Sequence, residues 1–454
     1  MRKRKMVLPA AFCVLVVAAS AYGATTTGSS TFTNTALVRP EGGSEPAISI
    51  ASNGTMAITG LQWLFDPDPA TYGTHLWTGP FGSTPAFRGL LDAGLQRPAK
   101  QVFGSGDADV DIGSTGTLHA TSLVFGVNRP FTRAQLGVSA ITCPGATSGG
   151  FSLAGCTRQI IDASGADRPW VTSEGSHVYI AYHDAGKSSQ IHVQRSDDDG
   201  LTWHHATDPI VGQATATGNA TFNNGAGPIV ADPYTHNVYA VYAAGETGVL
   251  KGRTFTPNHI YVSRSSDHGA HWTTNLVFAA PPGSVLANIF PSLAVDPTNG
   301  HLYATWSDGH TVWFSASTNQ GNQWSPAVPV SIAPASTAIF PWVAAYGGTA
   351  DVVYYGTAAA GTDDPSAVWN TYLAQTTNDG AGFAQSLVSN SPIHTGVVCT
   401  EGSACDNATR TLLDLFEVAI DPLNGKAAVI YTDDAHTTDG DGNPLPQLVL
   451  ALQQ

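Results

Sequence analysis

Residues 196–203 read Ser-Asp-Asp-Asp-Gly-Leu-Thr-Trp and decide the fold of this chain. The same pattern of a hydroxyl residue, an Asp or Asn, a glycine and an aromatic residue returns at 265–272, 317–324 and 376–383. In such a turn the Asp or Asn side chain accepts backbone hydrogen bonds, and the glycine adopts a backbone conformation that is costly for other residues. Four copies in register therefore indicate hairpin turns of a repeating β structure.

We expect the conserved offsets of this pattern to be structural, because turn chemistry explains each of them. The positions are Ser196, Asp198, Gly200 and Trp203, then Ser265, Asp267, Gly269 and Trp272, then Ser317, Asn319, Gly321 and Trp324, and finally Thr376, Asn378, Gly380 and Phe383.

A longer repeat surrounds these turns. Seven units share a short apolar strand, a tight turn and an alternating strand that ends in aromatic residues, and they begin near residues 46, 107, 168, 228, 291, 341 and 417. The turn glycines Gly54, Gly116 and Gly175 are spaced by 62 and 59 residues, a period typical of a four-stranded unit with generous loops. Helical periodicity is absent from the pattern. The sequence predicts an all-β fold, a β-propeller of seven four-stranded blades, with six blades as the alternative.

The turn motif is the Asp box, and the chain resembles the BNR/Asp-box propellers, which include sialidases and several other glycoside hydrolases. The resemblance covers most of the chain and implies a propeller domain over 44–454. It also implies that the Asp boxes lie at the periphery. Residues 24–43 form a leader that we expect to supply the strand closing the ring against the final strand, 447–452.

The first 23 residues are predicted to be a secretory signal peptide. A basic start, Arg2 to Lys5, precedes an apolar run too short to span a membrane, and small residues follow. Removing this segment takes away four of 19 basic residues and none of 34 acidic ones, which leaves a net charge of −19. Such a charge disfavours binding to nucleic acid or to an anionic membrane surface. We expect a secreted monomer that needs no cofactor.

Four cysteines remain after the signal segment, as two close pairs. Cys143 with Cys156, and Cys399 with Cys405, are predicted to form two local disulfides in an oxidising compartment. Zinc binding is the alternative, but the spacings of 13 and six residues lack the tight C-x₂-C pairing of a zinc knuckle.

Arginines are the first group that could carry chemistry. Resemblance to sialidases implies three arginines that grip a substrate carboxylate, together with an early (F/Y)-R-I-P motif, and that motif is absent here. The nearest partial match to the motif is Arg168, in the stretch Asp167-Arg168-Pro169-Trp170. Arg410 and Arg253 are the other candidates. Arg168 could instead have a structural role, in which it pairs with a neighbouring carboxylate at the start of its blade.

Carboxylates on the innermost strands are the second group. Asp107 and Asp109 lie at alternate positions of one predicted strand, and Asp414 and Glu417 precede and begin the seventh unit. Crowded carboxylates can run acid–base glycoside hydrolysis, or they can bind a hard cation such as Ca²⁺. They could also serve only to hydrogen-bond strand ends. Arg168, Asp107, Asp109, Arg410, Asp414 and Glu417 are our candidate catalytic residues.

A weaker calcium candidate is Asp439-Gly-Asp441-Gly-Asn443, which places oxygen ligands at alternate positions. The sixth position is Pro444 rather than the glycine of an EF-hand loop, so a solvated turn is the competing interpretation. We therefore predict a secreted, sialidase-like propeller that hydrolyses or binds a glycan at its central channel. The alternative is a non-catalytic scaffold that binds an extracellular protein or polymer.

Overall fold

The structure is a computed structural model. It describes residues 24–62, 73–95, 100–104, 106–128, 134–148, 151–184, 190–211, 224–245, 257–281, 284–286, 290–402 and 405–454. The predicted signal peptide and Arg253 lie outside these residues. Within them, no helix is long and apolar enough to cross a membrane.

Seven antiparallel sheets form the blades of a propeller, which confirms the predicted fold and the blade count. Two short strands come first, β1 (Thr26–Thr27) and β2 (Phe32–Ala36). Blade 1 contains β3 (Ser44–Ile50), β4 (Thr55–Leu61), β5 (Thr74–Pro80) and β6 (Ala86–Leu90). Blade 2 contains β7 (Lys100–Phe103), β8 (Ala108–Ile112), β9 (Leu118–Asn128), β10 (Ala134–Cys143) and β11 (Thr157–Asp162). Blade 3 contains β12 (Ala166–Glu174), β13 (His177–Asp184), β14 (Ile191–Ser196) and β15 (His204–His205).

The remaining blades repeat this plan. Blade 4 contains β16 (Asn224–Ala231), β17 (Val238–Ala244), β18 (His259–Ser265) and β19 (Thr273–Ala279). Blade 5 contains β20 (Ser292–Val295), β21 (Leu302–Ser307), β22 (Val312–Ser317) and β23 (Val328–Pro329). Blade 6 contains β24 (Thr337–Tyr346), β25 (Thr349–Thr357), β26 (Val368–Thr376), β27 (Ala384–Leu387) and β28 (His394–Thr395). Blade 7 contains β29 (Glu417–Ile420), β30 (Ala427–Asp433) and β31 (Gln447–Gln453). Two 3-10 turns cover Leu153–Gly155 and Asn407–Thr409.

The N-terminal strands complete the two last blades. β2 pairs antiparallel with β31, from Phe32 opposite Gln453 to Ala36 opposite Val449, and so forms the outer strand of blade 7. β1 runs parallel to β27 at the outer edge of blade 6. The chain therefore holds its ring together by backbone hydrogen bonds between its two ends.

The hydrophobic core lies between the blades, because each sheet buries both of its faces. β17 is buried along its whole length, and Met56, Ile58 and Trp77 of blade 1 pack against Ile430 and Leu450 of blade 7. Burying one such aliphatic side chain contributes roughly 1.5–3 kcal/mol. Packing of this kind between neighbours all round the ring fixes the radial position of each inner strand.

The two rims of the propeller differ. We call the rim where the inner strands begin the entry face, and the opposite rim the turn face. The turns that join the first and second strands lie on the turn face, and so do the four turns of the repeated motif. In blade 3 the Asp199 backbone N–H donates to the carbonyl of Ser176, 2.8 Å away in the first turn, and so links the two.

The four motif turns share one set of hydrogen bonds. In blade 3 the Gly200 N–H donates to Ser196 Oγ at 2.9 Å, and the Thr202 N–H donates to Asp198 Oδ1 at 2.8 Å. Asp267, Asn319 and Asn378 accept the matching backbone N–H in their own turns. Gly200 has φ +83°, a left-handed conformation that favours glycine. These side chains are fully used in building turns on the face opposite the candidate site.

Four of the inner strands begin with an irregularity at a proline. In β3, β12, β16 and β24 the pairing register shifts at a proline, which has no N–H to donate to the ladder. In three of these strands the residue before that proline has a positive φ: Glu45 at 45°, Arg168 at 46° and Phe340 at 53°. Such strain is costly and clusters at functional sites. Two of these three residues meet in the candidate site.

Both predicted disulfides are present. Cys143 at the end of β10 is bonded to Cys156, and Cys399 is bonded to Cys405 in the loop that precedes β29.

Candidate functional site

A cluster of carboxylates and arginines lies at the entry face, at the mouth of the channel. Its members come from four consecutive blades of the ring, because the inner strands β29, β3, β8 and β12 begin side by side. Blade 7 supplies Arg410, Asp414 and Glu417, blade 1 supplies Glu45, blade 2 supplies Asp107 and Asp109, and blade 3 supplies Asp167 and Arg168. We call this set the entry cluster.

Arg168 lies at the centre of the entry cluster and is 3% exposed. Its guanidinium carbon lies 4.9 Å from the ring centre of Trp170 and 5.7 Å from that of Phe290, so two aromatic rings flank the charge. Among the described residues, none accepts a hydrogen bond from Nε, Nη1 or Nη2. A buried charged group without hydrogen bonds is expensive and calls for a functional explanation.

Glu45 is the residue that faces this guanidinium. Its Oε2 lies 3.8 Å from Arg168 Nη1, while its Oε1 accepts the backbone N–H of Asp414 at 3.0 Å. Burial raises the pKa of Glu45 well above its usual value, and the charges of Asp107 and Asp414 raise it further. This environment disfavours the charged form of Glu45, and its carboxyl group accepts no hydrogen bond from the Arg168 guanidinium.

The loop before β29 carries the second arginine. The Arg410 guanidinium forms an ion pair with Asp414, through Nε at 3.3 Å and through Nη2. The Cys399–Cys405 disulfide ties down the start of this loop, and the Cys399 N–H donates to the carbonyl of Thr409 at 2.8 Å. The disulfide thereby holds Arg410 beside the channel.

Asp109 and Glu417 each form a hydrogen bond between two inner strands. Asp109 Oδ2 accepts the backbone N–H of Val171 in blade 3 at 2.8 Å, and Glu417 Oε2 accepts that of Ile48 in blade 1 at 2.9 Å. Burial raises the pKa of Asp109 to about 7 and that of Glu417 well above its usual value. Both residues are over 90% buried, and each joins its inner strand to that of a neighbouring blade.

Asp107 and Asp167 are the carboxyl groups of the entry cluster that remain partly exposed. The charge of Asp107 acts on the Glu45 carboxyl group and raises its pKa. Burial and the charge of Asp107 raise the pKa of Asp167 to about 7, although the Arg168 backbone N–H donates to Asp167 Oδ1 at 3.0 Å. Two carboxyl groups in one site are what acid–base glycoside hydrolysis requires.

The structure brings all six predicted catalytic residues together, Arg168, Asp107, Asp109, Arg410, Asp414 and Glu417. Their catalytic roles remain predictions. Sequence analysis missed Glu45, although a signal existed: Glu45 precedes Pro46 as Arg168 precedes Pro169, at the equivalent point of two inner strands.

The calcium candidate forms a tight exposed turn between β30 and β31. Asp439 Oδ1 accepts the N–H groups of Asp441 and Asn443 at 2.9 and 2.8 Å, and Asp439 Oδ2 accepts the Asn443 side-chain amide at 3.1 Å. These are the contacts of the competing turn interpretation. Calcium binding there remains a prediction.

Comparisons with known proteins identify the fold. No family model matches the chain, and no curated protein matches it. A polysaccharide lyase of family PL25, an ulvan lyase, aligns with a TM-score of 0.51 at 12% identity over 92% of this chain and 95% of its own. A GH93 α-L-arabinofuranosidase of Fusarium graminearum aligns with a TM-score of 0.46 at 14% identity, over 73% and 93%. A Hadza microbial sialidase aligns with a TM-score of 0.43 at 11% identity, over 76% and 66%.

Proposed function

We propose that this protein is a secreted glycoside hydrolase whose active site is the entry cluster. The observation that carries the proposal is the pair of partly exposed carboxyl groups, Asp107 and Asp167, beside a buried guanidinium without hydrogen bonds. A scaffold that only presents loops to a partner has no need to bury an arginine whose N–H groups make no hydrogen bonds, because that burial costs stability. An enzyme uses such a group to bind and orient a polar substrate.

In this proposal Asp167 is the proton donor. With a pKa of about 7 it is substantially protonated at neutral pH, and it can transfer that proton to the glycosidic oxygen as the bond to the anomeric carbon breaks. Asp107 supplies the second carboxyl group and stabilises the positive charge that develops at the anomeric carbon. Water adds to that carbon and loses a proton to Asp167, which the first step left as a carboxylate, and this completes the hydrolysis and restores the acid.

Arg168 and Arg410 orient the substrate through hydrogen bonds to its oxygens. Among the described residues these two arginines reach the entry cluster, whereas a sialidase-like site requires three. We therefore propose hydrolysis of a glycan without assigning it to sialic acid. The ulvan lyase of the same fold binds a glycan of glucuronic acid and sulfated rhamnose, in keeping with a carbohydrate substrate. The two disulfides support export to an oxidising compartment.

The experiment is a turnover screen of the purified secreted protein on fluorogenic glycosides, including a sialoside, and on polysaccharides. Asp107→Asn should lower kcat/KM on any active substrate by about a hundredfold or more. The matched control is Asp363→Asn, an exposed aspartate in the loop between β25 and β26, on the same face but in blade 6. Equal loss in both variants, or no turnover of any substrate, would contradict the proposal. Binding of a polymer without turnover would favour the scaffold.

A further inference from the structure

The outer edge of blade 3 carries three metal-ligand side chains in one place, away from the inner strands. They are His192 on β14, His205 on β15 and Asp208 just beyond β15, and one ligand atom from each lies within 4.8 Å of the others. His192 Nδ1 lies 2.9 Å from Asp208 Oδ1, and His205 Nε2 lies 3.5 Å from the same oxygen. Among the described residues this is the group of three that could hold a metal ion.

Strand pairing explains why these side chains meet. Gln194 lies opposite His205 in the β14–β15 ladder, so His192, two residues before Gln194, shares its face with His205. The neighbouring pair, Arg195 and His204, lies on the other face of the same ladder. The imidazole rings of His192 and His205 accordingly approach to 5.6 Å between centres.

A second carboxylate, that of Asp184, lies on the other side of the His192 ring. His192 Nε2 lies 3.9 Å from Asp184 Oδ2 at the end of β13, while the other ring nitrogen, Nδ1, faces Asp208 Oδ1. A histidine that binds a metal through one ring nitrogen usually donates the other N–H to a carboxylate, which fixes its tautomer and orientation. At 3.9 Å the Asp184 carboxylate is beyond hydrogen-bond distance, so it would have to move closer on metal binding to accept this N–H; its side chain is only 12% exposed.

We propose that His192, His205 and Asp208 bind a divalent transition metal ion, with zinc as the natural occupant, and that Asp184 orients His192. Two imidazoles and one carboxylate suit zinc better than calcium or magnesium, which prefer oxygen ligands alone. The side chains of His192, His205 and Asp208 are 23, 52 and 29% exposed, so water can complete the coordination.

The ion would cross-link the two outer strands of the blade, β14 and β15. The fourth strand, β15, is only two residues long and is joined to β14 by two paired positions, Gln194 with His205 and Arg195 with His204. A metal that joins β14 to His205 and Asp208 adds a link where few backbone hydrogen bonds exist. An open cleft of about 530 Å³, lined in part by His205 and Asp208, borders the site and gives an ion access from solvent.

The test is titration of the metal-free secreted protein with Zn²⁺ and Co²⁺ at pH 7.5, followed by calorimetry, Co²⁺ absorption and thermal unfolding. The wild type should bind about one equivalent of zinc and unfold at a higher temperature with it. His205→Ala should weaken binding at least tenfold, and Asp184→Asn by roughly tenfold. His204→Ala is the matched control, because His204 is adjacent, also 52% exposed, and on the opposite face.

Asp208→Asn provides a second ligand variant should His205→Ala prove less stable than the wild type. Selective loss of zinc binding in His205→Ala and Asp208→Asn, with His204→Ala unaffected, supports the site. Equal loss in His204→Ala would place the ion on the other face of the strand. That result, or a wild type that binds no zinc, would overturn the proposal.

Discussion

Arg168 Nη1 lies 3.8 Å from Glu45 Oε2 at the entry face, and both residues have a positive φ directly before a proline. Blades 1 and 3 thus use the same bulge at the start of their inner strands to place a carboxyl group and a guanidinium in one site. Burial raises the pKa of Glu45 well above the usual value and so disfavours its charged form. No described side chain accepts a hydrogen bond from the guanidinium, which leaves its N–H groups free to bind a ligand.

Replacement of Arg168 by methionine should separate catalysis from stability. Met retains the apolar contact with Trp170 and Phe290 and removes a buried charge that has no hydrogen bond among the described residues. We expect kcat/KM to fall by about a hundredfold or more while the urea midpoint does not fall. Arg264→Met, at a partly exposed position on β18 in blade 4, should leave kcat/KM unchanged. A large fall in the midpoint of Arg168→Met alone would indicate a structural role.

Asp167 should set the alkaline limb of the pH–rate profile. A proton donor must be protonated, so the wild-type rate should fall as pH rises through about 7, the pKa of Asp167. Asp167→Asn should abolish that limb and lower kcat by about a hundredfold to ten-thousandfold on substrates with poor leaving groups. Aryl glycosides with good leaving groups need less protonation and should lose much less. A limb unchanged in Asp167→Asn would assign the proton to another group.

Asp351 should make the protein less stable as pH rises. It is fully buried in β25, Gln375 Nε2 donates to its Oδ1 at 2.8 Å, and its Oδ2 has no partner among the described residues. Burial raises its pKa to about 7, so the folded state retains a proton that the unfolded chain loses near pH 4. The contribution of this group to stability is complete below pH 4 and is lost as pH rises to about 7.

Asp351→Asn keeps the acceptor for Gln375 and removes the titration. Its advantage over wild type in free energy of unfolding should grow between pH 4 and 8 by roughly 2 to 4 kcal/mol. Urea unfolding of both proteins across this range measures the difference. A difference independent of pH would show that Asp351 ionises normally.

Gly200 and Gly269 offer a matched test of blade packing at the turn face. Both have φ +83° in equivalent turns, so alanine costs each about 1–2 kcal/mol in backbone strain. A Cβ at Gly200 would also overlap Thr142 Oγ1 of blade 2, whereas at Gly269 the nearest atom is Ala206 Cβ at 3.2 Å. We expect Gly200→Ala to lower the free energy of unfolding by a further ~1–3 kcal/mol. Equal losses would mean that Thr142 moves aside without cost.

Local patterns were sufficient to predict much of this fold. The motif turns, the seven units and the two disulfides each depend on residues close in the chain, and the structure contains all of them. The candidate residues Arg168, Asp107 and Asp414 could also be predicted from the sequence, because charged side chains at the starts of the inner strands of a propeller face its central channel. Glu45 was missed because no motif surrounds it, although it precedes Pro46 just as Arg168 precedes Pro169.

The sequence by itself determined a propeller of repeated blades with hairpin turns and short inner strands, since these features follow from short-range periodicity. Only the tertiary structure decided which groups meet. The pKa of Asp167 depends on burial and on Asp107, and the meeting of His192 with Asp208 and Asp184 depends on how a short edge strand folds back. The physical reason is that burial and charge proximity arise from packing between blades, and the strand pattern carries no record of those distances.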